Sequence, residues 1–235
     1  MKIEGPLIRG KFVERPNRFI TMVKVAGQIV RAHLADPGRL KELLLPGAEL
    51  LLRPAPKASE RKTKYSTVMV RYEGQLISLV SALPNRFVKE LLQQGDLPMF
   101  KNFHYIRPEA PVGNHRFDFL LNDRNGTPFY LEVKSVTFVE NGLAKFPDAV
   151  TARGARHANA LSELVRNGTG AGILFVCQRT DAEGFEPMWD RDPKFAKALL
   201  AAKESGVKVW CITTRISKTE MTFEKEIPVN LAPPE

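Results

Sequence analysis

In the stretch RFDFLLNDRNGTPFYLEVKSVTF, residues 116–138, two carboxylates and a lysine are set into two otherwise apolar, strand-like runs. Asp118 stands among Phe117, Phe119, Leu120 and Leu121, and Glu132 and Lys134 stand among Tyr130, Leu131, Val133 and Val136. Unpaired charge in such surroundings is expensive. Strand side chains alternate faces, and the two apolar faces coincide when Phe119 opposes Leu131 and Phe117 opposes Val133. The same register sets Asp118 against Glu132, with Lys134 on their face. Opposed carboxylates repel unless a cation lies between them. A hard divalent ion, Mg²⁺ or Mn²⁺, suits oxygen ligands and keeps waters for a substrate phosphate. The candidate metal ligands are therefore Asp118, Glu132 and the backbone carbonyl of Val133. Lys134 can orient or deprotonate a water, or steady charge developing on a phosphate. The chemistry is phosphodiester hydrolysis.

An acid followed 14 residues later by Glu-x-Lys also arises by chance. The competing reading is an exposed sheet edge carrying a Glu–Lys pair. The apolar neighbours, the shared register, a preceding helix with Glu90 and a following helix with Arg153, Arg156 and His157 favour a site. Asn125-Gly126 signals a tight two-residue turn, but that turn would put the two acids on opposite faces. The register instead requires a longer loop, about 122–128.

These groups need elements to position them. Residues 6–35 read as three strands, 36–47 as a short helix with Asp36 as N-cap, Pro37 at its first position and Gly47 after its stop, and 48–82 as further strands. That is the element order of a five-stranded OB-type barrel, or of another small barrel with the same order. A helix follows, capped by Asn85, with Phe87, Val88, Leu91 and Leu92 as its apolar stripe and Gly95 as its stop. Strands at about 103–112, 116–121 and 129–138 come next. A helix at 151–166, a strand at 171–179, a helix at 192–205 and a strand at 207–216 complete a mixed α/β pattern. We expect two domains, 1–83 and 84–235.

The charge points to a partner. Residues 1–90 carry 17 Lys and Arg against 8 Asp and Glu, whereas 91–235 carry 18 of each, so the whole net charge of +9 lies in the first two-fifths. Such asymmetry suits a polyanion, most often nucleic acid, the alternative being a merely solvated face. The loop RPAPKASERKTKY holds Arg53, Lys57, Arg61, Lys62 and Lys64 as candidate phosphate contacts, and ERPNRF adds Arg15 and Arg18 beside Phe19, which is expected in the core, stacking of an exposed base on its ring being the alternative. Arg153, Arg156 and His157 stand on the helix after the Glu-x-Lys strand. The start of that helix, near Thr151, offers backbone N–H groups to a phosphate, and Asp148 is a ligand or a turn residue. His33 and His115 read as structural. Cys177 and Cys211, each in an apolar run, read as buried thiols of a reducing compartment. With no leader and no apolar run near the length of a membrane span, a cytoplasmic protein is expected.

The runs HLADPGRLKELLLPG, RFDFLL, YLEVKSVTFVENGLAKFPDAVTARGARH, LFVCQR and DPKFAKAL together resemble the sugar fermentation stimulation protein A family from about Pro6 to Val229. The resemblance implies an N-terminal OB-fold, a following PD-(D/E)xK nuclease-like α/β domain, and sequence-non-specific DNA binding. Asp118, Glu132 and Lys134 match that superfamily's acidic and Glu-x-Lys positions, and Glu90 matches an acid found on its first helix. The chain has Ala35-Asp36 where the family often has Pro-Asn, and Phe117 where it often has Ile. Two functions stay open: a DNA-binding protein, regulatory and without turnover, and a Mg²⁺-dependent nuclease. A third, a protein-interaction barrel, predicts no salt-dependent binding of nucleic acid.

Overall fold

Short apolar runs punctuated by turn residues make six strands in the first eighty positions: β1 (Ile8–Asn17), β2 (Ile20–Val25), β3 (Gln28–Leu34), β4 (Glu49–Pro54), β5 (Tyr65–Tyr72) and β6 (Gln75–Ser78). The computed structural model describes residues 1–56 and 60–234; Lys57, in the basic loop, lies outside them. Strand β1 pairs antiparallel with β2 and with β4, β2 with β3, and β4 with β5. A parallel pairing of β3 with β5 closes the ring. The result is a closed five-stranded barrel of OB type, with β6 added along β5. Bulges on either side of Glu14 let β1 curve from one partner to the other. At Gly10 a Cβ would meet Val23 Cγ1 at 2.5 Å, so glycine permits the close crossing of β1 over β2. Phe12, Val23, Leu34, Leu50, Leu52, Val70, Ile77 and Leu79 fill the interior.

The helix expected over 36–47 is absent; that segment is a series of turns. Leu40 takes a positive φ of 52°, which no helix tolerates. Asp36 Oδ1 accepts from Gly38 N instead of capping a helix. The carbonyls of Asp36, Gly38 and Arg39 bond the Arg15 guanidinium. The apolar residues still do their work, since Leu40, Leu43 and Leu44 plug the barrel.

The elements that follow are α1 (Leu83–Gln94), β7 (Phe103–Val112), β8 (His115–Asp123), β9 (Pro128–Val136), β10 (Phe138–Glu140), β11 (Leu143–Phe146), α2 (Ala152–Arg166), β12 (Gly170–Cys177), β13 (Gly184–Pro187), α3 (Pro193–Glu204), β14 (Lys208–Ile216) and β15 (Met221–Ile227). Six of the strands form one sheet in the order β15-β14-β12-β9-β8-β7. Strands β7, β8 and β9 make an antiparallel meander, to which β12 and β14 add in parallel after α2 and α3. A small sheet, β10-β11-β13, was not foreseen. Phe175 joins the two by stacking on Phe185 and meeting Phe146. Asp192 ties two helix starts together, accepting from Phe195 N at the head of α3 and from Thr151 N at the head of α2.

By contact, the chain divides into two units. The first is Met1–Leu83 with Gln178–Thr180 and Thr214–Glu224; the second is Pro84–Cys177, Asp181–Thr213 and the residues from Lys225 on. Among the described residues no helix is long and apolar enough to cross a membrane.

Candidate functional site

The β8–β9 hairpin has the register that aligns its apolar faces: Phe119 pairs with Leu131, Leu120 with Tyr130, Leu121 with Phe129 and Asn122 with Pro128. The loop is correspondingly long, 124–127, with Asn125-Gly126 inside it. Asp123 Oδ1 accepts from the backbone N–H groups of Asn125 and Thr127, and Gly126 turns the chain at a φ of 81°. One step beyond Phe119, side chain replaces backbone as partner. Asp118 Oδ2 accepts from Val133 N at 2.7 Å, and Asp118 Oδ1 from Asn85 Nδ2 at 2.6 Å. Asn85 lies in the first turn of α1 and does not cap it. Its amide is spent on Asp118.

Glu132, only 4% exposed, lies on the central strand β9. Its Oε1 accepts from Lys134 Nζ at 2.5 Å and from His157 Nδ1 at 2.7 Å. Its Oε2 is buried and makes no hydrogen bond. His157 comes from α2, where Gly154, His157, Ala158 and Leu161 form the buried stripe. The imidazole meets Phe117 at 5.7 Å and His115 at 5.8 Å, both edge-on.

Burial and the nearby Glu132 charge push the Asp118 carboxyl up to about 6, against the opposing pull of Val133 N–H, Lys134 and Asn85. Burial presses Glu132 upward too, but the His157 hydrogen bond and the Lys134 charge outweigh it and hold this carboxyl below its usual range. The pair therefore splits into one carboxylate that ionises readily and one that ionises near neutrality.

The donor set fits a hard cation: an ionised carboxylate presents a bare, buried oxygen beside a second carboxyl. Among the described residues, no three of His, Cys, Asp and Glu come together as a metal-binding cluster. Two carboxylates with the Val133 carbonyl and water would make up the ligand shell. Glu90 is half-buried on α1, and five positions past Asn85 it points about 140° away from that residue around the helix.

The other candidates separate by role. Arg15 spends its guanidinium on four carbonyls, those of Arg18, Asp36, Gly38 and Arg39, and so holds the β1–β2 turn. The tip of that turn is exposed: Phe19, expected in the core, is 49% exposed, with the Arg18 guanidinium 5.8 Å from its ring centroid. Arg61, Lys62 and Lys64 are exposed in the β4–β5 loop, Arg61 donating to Ser66 Oγ. Ile20, His33 and Ser66 form one row across β2, β3 and β5; because β2 and β5 run in opposite senses, the turn before β2 and the loop before β5 leave that row in opposite directions. Arg153 and Arg156 are exposed on α2. The start of α2 is less open to an anion than expected, since Thr151 N is taken by Asp192 and Gly154 N by Thr151 Oγ1. The Asp148 carbonyl accepts from Arg191. Sequence reasoning gave Asn85 only a capping role and named His157 only as a companion of the site on the following helix; their hydrogen bonds to Asp118 and Glu132 are what it lacked.

Comparison with known proteins places this geometry in context. The description SfsA N-terminal OB domain matches residues 13–79, and Sugar fermentation stimulation protein RE domain matches residues 82–220. A sugar fermentation stimulation protein homolog of Moorella thermoacetica is 42% identical over 231 residues, 98% of this chain and 100% of its own length. One from Acetivibrio thermocellus is 43% identical over 232 residues, 97% and 99% of the two chains. The solved structure of Pyrococcus furiosus SfsA in complex with Ca²⁺ is similar with a TM-score of 0.87 at 28% identity, covering 98% of each chain. The closed OB barrel followed by a mixed α/β domain is thus the architecture of a known group, and the chain belongs to the sugar fermentation stimulation protein family.

Proposed function

We propose that the protein binds DNA, largely without sequence preference, through the basic rim of its barrel, and that Asp118, Glu132 and Lys134 form a divalent-cation-dependent site for phosphodiester hydrolysis. The observation that carries this reading is Glu132 Oε2, an oxygen of an ionised, buried carboxylate with no donor. Such an atom is costly unless a cation sits against it. Mg²⁺ or Mn²⁺ would be held by Asp118, Glu132 and the Val133 carbonyl, and would supply a more acidic bound water and a clamp on phosphate. The chain's own groups do the rest. Asn85 and Val133 N–H aim Asp118. Lys134, whose side chain is 14% exposed, has a charged end free of competing bulk water to place on a phosphate oxygen. The Ca²⁺ complex of the Pyrococcus furiosus relative supports an oxygen-rich cation site, because Ca²⁺ takes the same ligand type.

A second reading, DNA binding or regulation without turnover, draws on the hold that Glu132 has on Lys134 at 2.5 Å. Incubation of plasmid, linear duplex and single-stranded DNA, and of RNA, with Mg²⁺ or Mn²⁺ tests the two. The expected result is cleavage by wild type, none by Asp118→Ala, and equal DNA retention by both. Retention without cleavage at either ion would establish the second reading, and an absence of salt-dependent binding would defeat both.

A further inference from the structure

The two donors on Glu132 Oε1 come from different elements. Lys134 is two residues away on the same strand, while His157 reaches in from α2. They also differ in freedom. A lysine carries its charge on four rotatable methylenes, and Lys134 is the group with a second task, on phosphate. The His157 ring is 6% exposed and is walled edge-on by Phe117 and His115. Its helix is anchored at its start by the Thr151 cap and by Asp192. An ionised carboxylate only accepts, so Nδ1 of His157 carries the proton of this bond.

We propose that His157 is the positioning residue of the centre. Its Nδ1–H pins Oε1 of Glu132 so that Oε2 alone faces the cation, and the pin persists when Lys134 turns from Glu132 to substrate. The inference rests on reading Asp118 and Glu132 as cation ligands. Without His157, the carboxylate would rotate when Lys134 departs and would present its oxygens in no fixed geometry. Outer partners that orient a metal ligand affect metal affinity on the order of 10–100-fold.

The test is thermal melting of the full chain titrated with Mn²⁺, for wild type, His157→Asn, His157→Gln, His157→Leu and Glu132→Gln. Asparagine keeps an N–H donor at the position of the histidine Nδ1. Glutamine places its amide one bond farther, and leucine keeps bulk without a donor. The Mn²⁺ concentration giving half the maximal rise in Tm should increase about 10–100-fold in His157→Leu and His157→Gln. It should stay within about threefold of wild type in His157→Asn, and Glu132→Gln should show no rise at all. A purely structural histidine would lower the metal-free Tm in all three variants and leave the Mn²⁺ midpoint alone; that result overturns the proposal. If His157→Leu gives no cooperative melt, the comparison of Asn with Gln decides, and equal midpoints for those two also overturn it. A wild type that does not respond to Mn²⁺ removes the cation site, whereas a responsive wild type with unaffected variants removes only the role of His157.

Discussion

Asp118 and Glu132 lie on neighbouring strands, one step past the last paired residues, within reach of each other's charge, yet burial wins at one and is overruled at the other. The difference lies in their donors. Glu132 has a lysine and a histidine on one oxygen, while Asp118 has two neutral amides and a carboxylate for a neighbour. The consequence for stability has a definite sign. A carboxyl raised to about 6 in the folded chain, from 3.8 unfolded, stabilises the fold when protonated. Its contribution is complete below the unfolded value and is lost as pH rises through about 6. Glu132, shifted the other way, loses its contribution only as pH falls below its ordinary range near 4.5. Between about 4.5 and 6 the metal-free protein should therefore gain stability from Asp118 as pH falls, on the order of 2 kcal/mol. Urea unfolding at pH 4.5, 6 and 7.5 measures this, and Asp118→Asn should flatten the profile. Mn²⁺ binding should weaken over the same interval, since the protonated carboxyl is no ligand. Asp118, Glu132 and Lys134 were legible as a group because strand alternation brings positions 118, 132 and 134 to one face. The bonds that Asn85 and His157 make to the two acids were not, because no local periodicity encodes a contact across 33 or 25 residues.

For the barrel, the argument belongs to two connections. The β1–β2 turn offers Phe19 with Arg18, and the β4–β5 loop offers the exposed Arg61, Lys62 and Lys64. Neutralising the loop triad should weaken DNA binding whatever the sequence, and should flatten the log–log salt dependence by up to about 0.9 per lost phosphate contact. Phe19→Ala should leave that slope alone and cost about 1–3 kcal/mol with single-stranded DNA, where an unstacked base can lie on the ring. Filter binding over a salt series separates the two effects; a slope that changes in Phe19→Ala would assign the turn to phosphate instead. Elements with strong periodicity were readable in advance: the barrel strands, α2, α3 and β7, β8, β9, β12 and β14 of the central sheet stand within a few residues of expectation, whereas its edge strand β15 was not expected. The segment 36–47 was not. Its Asp-Pro start and leucine spacing fit a helix, but Arg15, 21 to 24 residues upstream, claims the carbonyls that a helix would use. Strands β10, β11 and β13 escaped for another reason. They have three or four residues each, and β13 joins β11 in parallel only after an intervening helix and strand.

At the scale of the whole chain, the first unit is discontinuous. Met1 and Ile3 exchange backbone hydrogen bonds with Met221 and Thr219. Arg179 lies under the Tyr72 ring and meets Glu73, and Thr180 N donates to Gln75 Oε1. A fragment ending at residue 83 therefore lacks a strap and a clasp that the intact unit has. It should melt at least about 10 °C below the corresponding transition of the full chain, since several hydrogen bonds of about 1 kcal/mol each are missing and 1 kcal/mol moves Tm by about 4–8 °C in a domain of this size. Circular dichroism melts of 1–83 and 1–235 check it; equal transitions would show that the two returning segments add nothing. The same discontinuity has a meaning in time. Synthesis proceeds from the N-terminus at about 5–20 residues per second. The barrel strands leave the ribosome early, but the stretch 214–224 that completes their unit emerges on the order of 10 s later. A ribosome that stops short of that stretch releases a basic barrel without its final clasp, so the basic unit is finished only when almost all of the α/β unit has been made.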